Sequence, residues 1–283
     1  MRGFLPARVL KRLVVIAALC YAAVTAVFAF QQRQFLFNTG DDGKLAAASG
    51  LAVPDSERIA LTASDGVQIT AWYVPPATGR KVMLFFHGQG GQLVIQTGRW
   101  RRIREAGHGI LALSYRGYPG SKGSPTEAGI HLDARAAYDW LVARHAKQDI
   151  VLHGHSLGSG VAVHLAAGIE AHALVLEAPF TAAVDVATER MPWLPVGLLM
   201  LDQFRSRDRI TQVRMPLMIV HGNRDAVIPP AHSERLYSLA NEPKTFVRMV
   251  DGDHNTLVRD GLYDHLWSFL GKLAGPAQRR GQN

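Results

Sequence analysis

Six short apolar runs, separated by stretches of helical periodicity, constrain the fold of this 283-residue chain more than any other feature of its sequence. Most of the runs are continuous, which is typical of strands that are buried on both faces. They are Lys81–His87, Gly109–Ser114, Asp149–His153, Ala173–Glu177, Leu217–His221 and Thr245–Val250. Strands that alternate with helices in this way predict an α/β fold with a doubly wound, mostly parallel sheet, whose functional groups collect at the C-terminal strand ends.

The segments around these runs predict the remaining elements. Arg58–Ser64 and Val67–Val74 alternate apolar and polar residues around Asp65-Gly66, which indicates an antiparallel hairpin at the sheet edge. Ser124 is expected to cap the helix that starts at Pro125. The predicted helices are Leu93–Ala106, Pro125–Arg144, Ser156–Ala167, Ala231–Ala240 and Thr256–Leu270.

Composition excludes several classes of site. With a single cysteine, Cys20, the chain cannot form an intramolecular disulfide, a zinc site with several thiolates or an iron–sulfur cluster, and no metal or cofactor is expected. The net charge of +8 comes from the chain ends, because eight of the 31 Lys and Arg residues and none of the 23 Asp and Glu residues lie outside residues 34–270. A central part without net charge argues against a nucleic-acid partner.

The N-terminal segment combines basic residues with an apolar run. Leu13–Phe30 contains 18 residues without a charge, which as a helix would span about 27 Å, close to the thickness of a bilayer core. Four basic residues precede the run. Residues 1–33 are therefore predicted to form a single-pass membrane anchor with a cytoplasmic N-terminus and the rest of the chain on the non-cytoplasmic side, which is the periplasm in a Gram-negative bacterium.

Two other interpretations of this segment stay open. Val27-Phe28-Ala29 offers small residues at a spacing that suits signal peptidase, so the segment could be a cleaved signal peptide. It could also be a buried helix of a soluble protein. If the segment is an anchor, a chain that starts near Gln34 is expected to be soluble and active.

The sequence Gly154-His155-Ser156-Leu157-Gly158 directly follows the third apolar run and opens a helix rich in Ala, Val and Leu. It matches G-x-S-x-G, in which a serine lies on a strained turn between strand and helix and the glycines leave room for that turn. Ser156 is therefore the candidate nucleophile. The alternative is a serine that only caps the helix.

A serine nucleophile needs a base, and the base needs an acid that orients it. Asp225 follows the run Leu217–His221 and His254 follows the run Thr245–Val250, so both are expected at the sheet edge where Ser156 lies. The chain order of nucleophile, acid and base is the one expected for a serine on such a turn. Three other acids compete with Asp225 and are judged to be less well placed: Asp202, Asp251 and Asp253.

Backbone N–H groups must stabilise the oxyanion that forms when a serine attacks a carbonyl. Leu157 follows the nucleophile and Gln89 lies in the Gly-rich loop His87–Gly91 after an early strand, so their N–H groups are the candidates for an oxyanion hole. The alternative for this loop is a flexible turn. A phosphate loop is excluded, because no Lys followed by Ser or Thr comes after it.

These motifs give the chain a family resemblance. It resembles the alpha/beta-hydrolase superfamily over nearly all of residues 55–272, and more narrowly a branch of N-terminally membrane-anchored serine hydrolases. The motifs that carry the resemblance are His87–Gly90, Ser114–Tyr118, Ser121-x-Gly123-x-Pro125, Gly154–Gly158, Ala178–Thr181, Pro192–Pro195, His221–Asp225 and Gly252–Asn255. In that branch Gln89 is commonly Asn and Pro119 is usually absent, so the loops beside the reacting carbonyl are expected to differ in detail.

The resemblance implies a catalytic domain over residues 34–275 that is followed by a basic tail at residues 276–283. A cap insertion is expected at residues 180–208, where the apolar run Met191–Leu201 suits a short lid over an acyl chain. The candidate substrate contacts are Phe180, Trp193, Leu194 and Leu198. The alternative is that the apolar residues of this run pack in the core.

A basic cluster at Arg99–Arg104 lies in the first helix after the Gly-rich loop. It is expected to form a solvated helix face that buries Trp100 and Ile103. Binding of lipid headgroups or carboxylates by these arginines is the less favoured alternative.

The predicted function is that of a membrane-tethered serine hydrolase that cleaves an ester or thioester of a small-molecule or lipid-like acyl group, as the resemblance implies. Ser156 would attack the carbonyl, His254 would transfer the proton, and Asp225 would orient His254. An acyltransferase or peptidase on the same triad remains an alternative, as does a catalytically idle homologue that only binds a ligand.

Overall fold

The computed structural model describes residues 6–39, 56–91 and 97–273. Within these ranges, eight strands form one sheet: β1 (Glu57–Thr62), β2 (Gln68–Val74), β3 (Val82–Phe86), β4 (Gly109–Ser114), β5 (Ile150–His155), β6 (Ala173–Glu177), β7 (Leu217–Gly222) and β8 (Lys244–Met249). Their spatial order is β1-β2-β4-β3-β5-β6-β7-β8. The pairs β1/β2 and β2/β4 are antiparallel and the others are parallel, which confirms the predicted edge hairpin and the mostly parallel sheet.

The helices alternate with the parallel strands. They are α1 (Ala7–Leu36), α2 (Thr97–Glu105), α3 (Glu127–Val142), α4 (Leu157–Ala166), α5 (Ala183–Arg190), α6 (Val196–Leu199), α7 (Pro230–Leu239) and α8 (Leu262–Leu273). α8 begins at Leu262 rather than at Thr256, because residues 254–261 form turns. The predicted helix start at Leu93 and the predicted basic tail lie outside the described residues.

Burial of the sheet explains the continuous apolar runs. The strands β3 to β7 are buried along their whole length, whereas β8 at the edge is only partly covered. Apolar side chains of α3, α4 and α7 cover one face of the sheet, and those of α2 and α8 cover the other. A strand between two such layers needs apolar residues on both of its faces.

The N-cap of α3 differs from the prediction. Thr126, and not Ser124, caps the helix, because its Oγ1 atom accepts a hydrogen bond from the Gly129 N–H at 3.0 Å. The Glu127 N–H group donates to Asp202 Oδ1 at 2.7 Å. A carboxylate that is distant in the sequence therefore accepts one of the free N–H groups at the start of this helix, a contact that local capping signals could not reveal.

The helix α1 extends beyond the predicted anchor. Its most apolar 18-residue window has a mean hydropathy of 2.5, and the helix is exposed apart from its last turns, so it is long and apolar enough to cross a membrane. The last turns lie against the rest of the protein, where Phe28 and Gln32 are buried. The predicted boundary between residues 33 and 34 falls inside this continuous helix.

Candidate active site

Ser156 lies on the turn between β5 and α4 with a φ of 52° and a ψ of −119°. A Cβ atom at Gly154 would lie 2.4 Å from the Gly158 carbonyl oxygen, and one at Gly158 would lie 2.1 Å from the Phe86 carbonyl oxygen. Both glycines are therefore required by close backbone packing. The Ser156 side chain makes no capping hydrogen bond to α4, which argues against a purely capping role.

A chain of hydrogen bonds joins three side chains from three strand ends. Ser156 Oγ lies 3.0 Å from His254 Nε2, and His254 Nδ1 lies 2.7 Å from Asp225 Oδ2. All three residues are buried. The structure thus brings together the three residues that the sequence singled out, in the geometry that a serine nucleophile, a base and an orienting acid require.

The Asp225 carboxylate is held by both of its oxygen atoms. Oδ1 accepts hydrogen bonds from the N–H groups of Val227 and Ile228, each at 2.8 Å, and Oδ2 lies 3.2 Å from His221 Nε2. Burial raises the pKa of Asp225, but the hydrogen bonds from His221 and His254 outweigh it and hold the pKa well below its usual range. Asp225 is therefore ionised and fixed in orientation.

The three competing acids have other partners. Asp253 Oδ1 accepts the N–H groups of Asn255 and Thr256, which builds the turn after His254. Asp251 pairs with Arg224 on the surface at 2.6 Å. Asp202 accepts a hydrogen bond from the Glu127 N–H group and forms an ion pair with the Arg33 guanidinium group. The described contacts therefore leave Asp225 as the carboxylate that faces His254.

The Gly-rich loop is pinned by aromatic hydroxyl groups. Tyr115 donates to the His87 carbonyl at 3.0 Å and Tyr118 donates to the Gln89 carbonyl at 2.9 Å. Burial lowers the pKa of His87 to about 4, so its ring is neutral at pH 7. These contacts argue against a flexible turn. Both tyrosines belong to the sequence motif Ser114–Tyr118, but the sequence alone did not reveal their hydrogen-bond partners.

A cavity of about 300 Å³ opens beside Ser156. Gln89 and Leu157, the two candidate oxyanion donors, line it together with Phe180. The other three predicted substrate contacts do not: Leu194 is buried in the core, and Trp193 and Leu198 lie on the surface, 56% and 89% exposed. In this structure the cap places these three residues away from the cavity.

Sequence reasoning missed one wall of the cavity. Phe28, Gln32, Phe35 and Leu36 of α1 line it, as do Val186 and Met191 from α5 and the segment after it. The spacing of Phe28, Gln32 and Leu36 by four residues places them on one helix face. Gln32 is a polar residue on this otherwise apolar face, two residues after the uncharged run.

The basic cluster of α2 is only in part a solvated face. Trp100 and Ile103 are buried as predicted, but Arg99 is buried too, with its Nη1 atom 2.7 Å from Glu177 Oε2. Burial raises the pKa of Glu177, and the charge of Arg99 outweighs it and holds that pKa well below its usual range. The Glu177 carbonyl accepts the Ser156 N–H at 2.9 Å, so this ion pair lies directly behind the nucleophile turn.

Among the described residues, no group of three or more His, Cys, Asp or Glu side chains is placed to hold a metal ion. The residues around the cavity are mostly apolar, and the polar ones are Gln32, Gln89, Ser156, Arg190 and Asp202. Such a cavity suits an apolar organic group beside a nucleophile.

Comparisons with known proteins agree with this architecture. Residues 81–207 match the family model described as alpha/beta hydrolase fold. An uncharacterised protein of Mycobacterium tuberculosis is 32% identical over 252 residues, 88% of this chain and 89% of that protein. The alpha/beta hydrolase domain-containing protein WAV2 of Arabidopsis thaliana is 31% identical over 221 residues, 70% of this chain and 72% of that protein.

The fold is also found in solved structures. An esterase of Pyrococcus furiosus shares it with a TM-score of 0.65 and 18% identity, over 78% of this chain and 91% of that one. The strand order, the turn at Ser156 and the curated relatives together identify the family: this chain belongs to the alpha/beta hydrolases.

Proposed function

We propose that the protein is a membrane-tethered serine hydrolase that cleaves carboxylic esters or thioesters through an acyl-enzyme intermediate. The observation that carries the proposal is the chain of hydrogen bonds from Ser156 through His254 to Asp225, at the wall of an apolar cavity. The esterase of Pyrococcus furiosus, which has the same fold, supports the reaction class.

The proposed reaction has two halves. His254 Nε2 takes the Ser156 hydroxyl proton as Oγ attacks the carbonyl carbon, and it then protonates the leaving alcohol or thiol. In the second half His254 takes a proton from a water molecule that attacks the acyl carbon, the bond from Ser156 Oγ to the acyl group breaks, and His254 returns the proton to Oγ as the carboxylic acid leaves. Asp225 stabilises the imidazolium ion in both halves, and the N–H groups of Leu157 and Gln89 are the proposed donors to the oxyanion.

The test of this function is a panel of esters, thioesters and amides of graded acyl chain length, given to the full-length protein in detergent. We expect turnover of esters and thioesters and little turnover of amides, because an amine is the poorest leaving group of the three. Transfer of the acyl group to an added alcohol in preference to water would favour an acyltransferase. A protein that binds the panel without turnover would be an idle homologue.

The membrane tether gives a separate expected result. The full-length protein should stay with membranes after a high-salt wash, because the exposed apolar part of α1 buries in the hydrocarbon core, and salt does not weaken that burial. A tag at the C-terminus should be accessible from the non-cytoplasmic side, since the basic residues precede the span. Release by salt, or a mature N-terminus at Phe30, would contradict the tether.

A further inference from the structure

The last turns of α1 do more than connect a membrane span to a catalytic domain. We propose that they form a wall of the acyl-binding site and determine which acyl chain lengths the enzyme accepts. The inference takes its substrate, an acyl ester or thioester, from the proposed hydrolase function. The contacts of α1 are the evidence that this helix forms a wall of the site.

The first observation is the face that α1 presents to the cavity. Phe28 and Phe35 both line the cavity that Ser156 opens into, and they are seven residues apart. Seven residues of helix span about 10 Å, so the two rings stand at different depths along one wall. Phe28 is 9% exposed and Phe35 is 59% exposed, whereas Phe30, which does not line the cavity, is 89% exposed.

The second observation is that α1 holds the cap in place. Gln32 Nε2 donates to the Leu199 carbonyl at 3.0 Å, and Gln32 Oε1 accepts the Leu201 N–H at 2.7 Å. Arg33 Nε lies 2.7 Å from Asp202 Oδ2. One glutamine thus satisfies two backbone groups of the cap, and the ion pair beside it continues the contact.

The third observation links α1 to the proposed oxyanion loop. The side-chain amide of Gln89 donates a hydrogen bond to the Phe35 carbonyl near the end of α1. The Phe35 carbonyl therefore contacts the loop beside Ser156, and Phe28 lies about 10 Å from Phe35 along the helix. A short acyl chain on Ser156 would meet Phe35, whereas a long one would extend to Phe28.

This placement changes what truncation is expected to do. A chain that starts at Gln34 lacks Phe28, Gln32 and Arg33, so it loses the distal wall and the contacts that hold the cap. The earlier expectation of an active chain starting near Gln34 is therefore replaced by loss of activity on long acyl chains. Cleavage after Ala29 would likewise remove Phe28 from the site.

The experiment compares Phe28→Ala with Phe30→Ala in the full-length protein in detergent, using p-nitrophenyl butanoate and dodecanoate. Phe28→Ala should lower kcat/KM about tenfold for dodecanoate and less than twofold for butanoate, because only the long chain loses its apolar contact. Phe30→Ala should leave both values within twofold. Phe28→Trp, which keeps an aromatic ring and fills the wall further, should also lower the dodecanoate-to-butanoate ratio.

A binding measurement separates this inference from the hydrolase proposal. Phe28→Ala should weaken binding of a fluorescent long-chain fatty acid about tenfold, and Phe30→Ala should not, whether or not the wild-type protein turns over esters. Absence of turnover in the wild type would overturn the proposed function, but the binding comparison of the two alanine variants would still test the role of α1. Equal effects of the two alanine variants on binding, or no effect of either Phe28 variant on binding and chain-length ratio, would overturn the role of α1.

Discussion

Ser156→Ala is expected to lower kcat for ester hydrolysis by several orders of magnitude and to abolish labelling by a fluorophosphonate. The Ser156 oxygen is the hydroxyl that lies 3.0 Å from His254 Nε2, and alanine leaves the base without a proton to take. The cavity and the loop at Gln89 stay in place, so binding of a long-chain fatty acid should change little. Single-turnover kinetics and mass spectrometry of the labelled protein measure the two effects.

Ser206→Ala provides the matched control for this variant. Ser206 is buried as well, but its hydroxyl has no hydrogen-bond partner within the described part of the chain and it does not line the cavity. Its removal should leave labelling and turnover unchanged. Labelling that persists in Ser156→Ala would place the nucleophile elsewhere.

Asp225→Asn is expected to fold normally and to lose about 10³ to 10⁴ in kcat. The asparagine oxygen can still accept the N–H groups of Val227 and Ile228, so the loop keeps its shape. Its neutral amide cannot stabilise the imidazolium ion of His254. Its NH₂ group would also face His254 Nδ1 and His221 Nε2, which now donate hydrogen bonds to the carboxylate. Steady-state kinetics measures the loss in kcat, and thermal unfolding checks that the variant folds normally.

The neighbouring acids supply the controls for Asp225. Asp251→Asn and Asp253→Asn should each cost about tenfold or less in kcat, because these carboxylates bind Arg224 and the turn at Asn255 rather than His254. Near-normal turnover in Asp225→Asn together with a large loss in Asp202→Asn would show that Asp225 is not the acid that orients His254.

Local signals in the sequence were sufficient for the sheet and for the three strand-end residues. Continuous apolar runs predicted β3 to β7, and the turn glycines predicted the position of Ser156 because backbone sterics leave few alternatives there. Asp225 and His254 were found because parallel strands end at one edge of the sheet. Such inferences depend on residues that are close in the chain or on the topology itself.

The features that the sequence did not predict are contacts between residues that are distant in the chain. Arg99 looked like part of a solvated face, and only the position of Glu177 on another strand makes its burial possible. Trp193 and Leu198 are apolar enough to contact an acyl chain, yet the path of the cap leaves them exposed. The contribution of Phe28 depends on how α1 meets the cap, which the helical pattern alone does not specify.

The short distance between the apolar span and the cavity determines how such an enzyme would encounter its substrate. Phe35 lies only five residues, about 8 Å of helix, beyond the last residue of the uncharged run. Phe28, on the wall of the same cavity, lies inside that run. In a tethered chain the cavity would therefore lie at the boundary between the hydrocarbon core and the lipid headgroups, and a lipid-like substrate would reach it by diffusion in two dimensions. Its rate would follow the mole fraction of that lipid in the membrane, so dilution with inert lipid would slow hydrolysis even at constant bulk concentration.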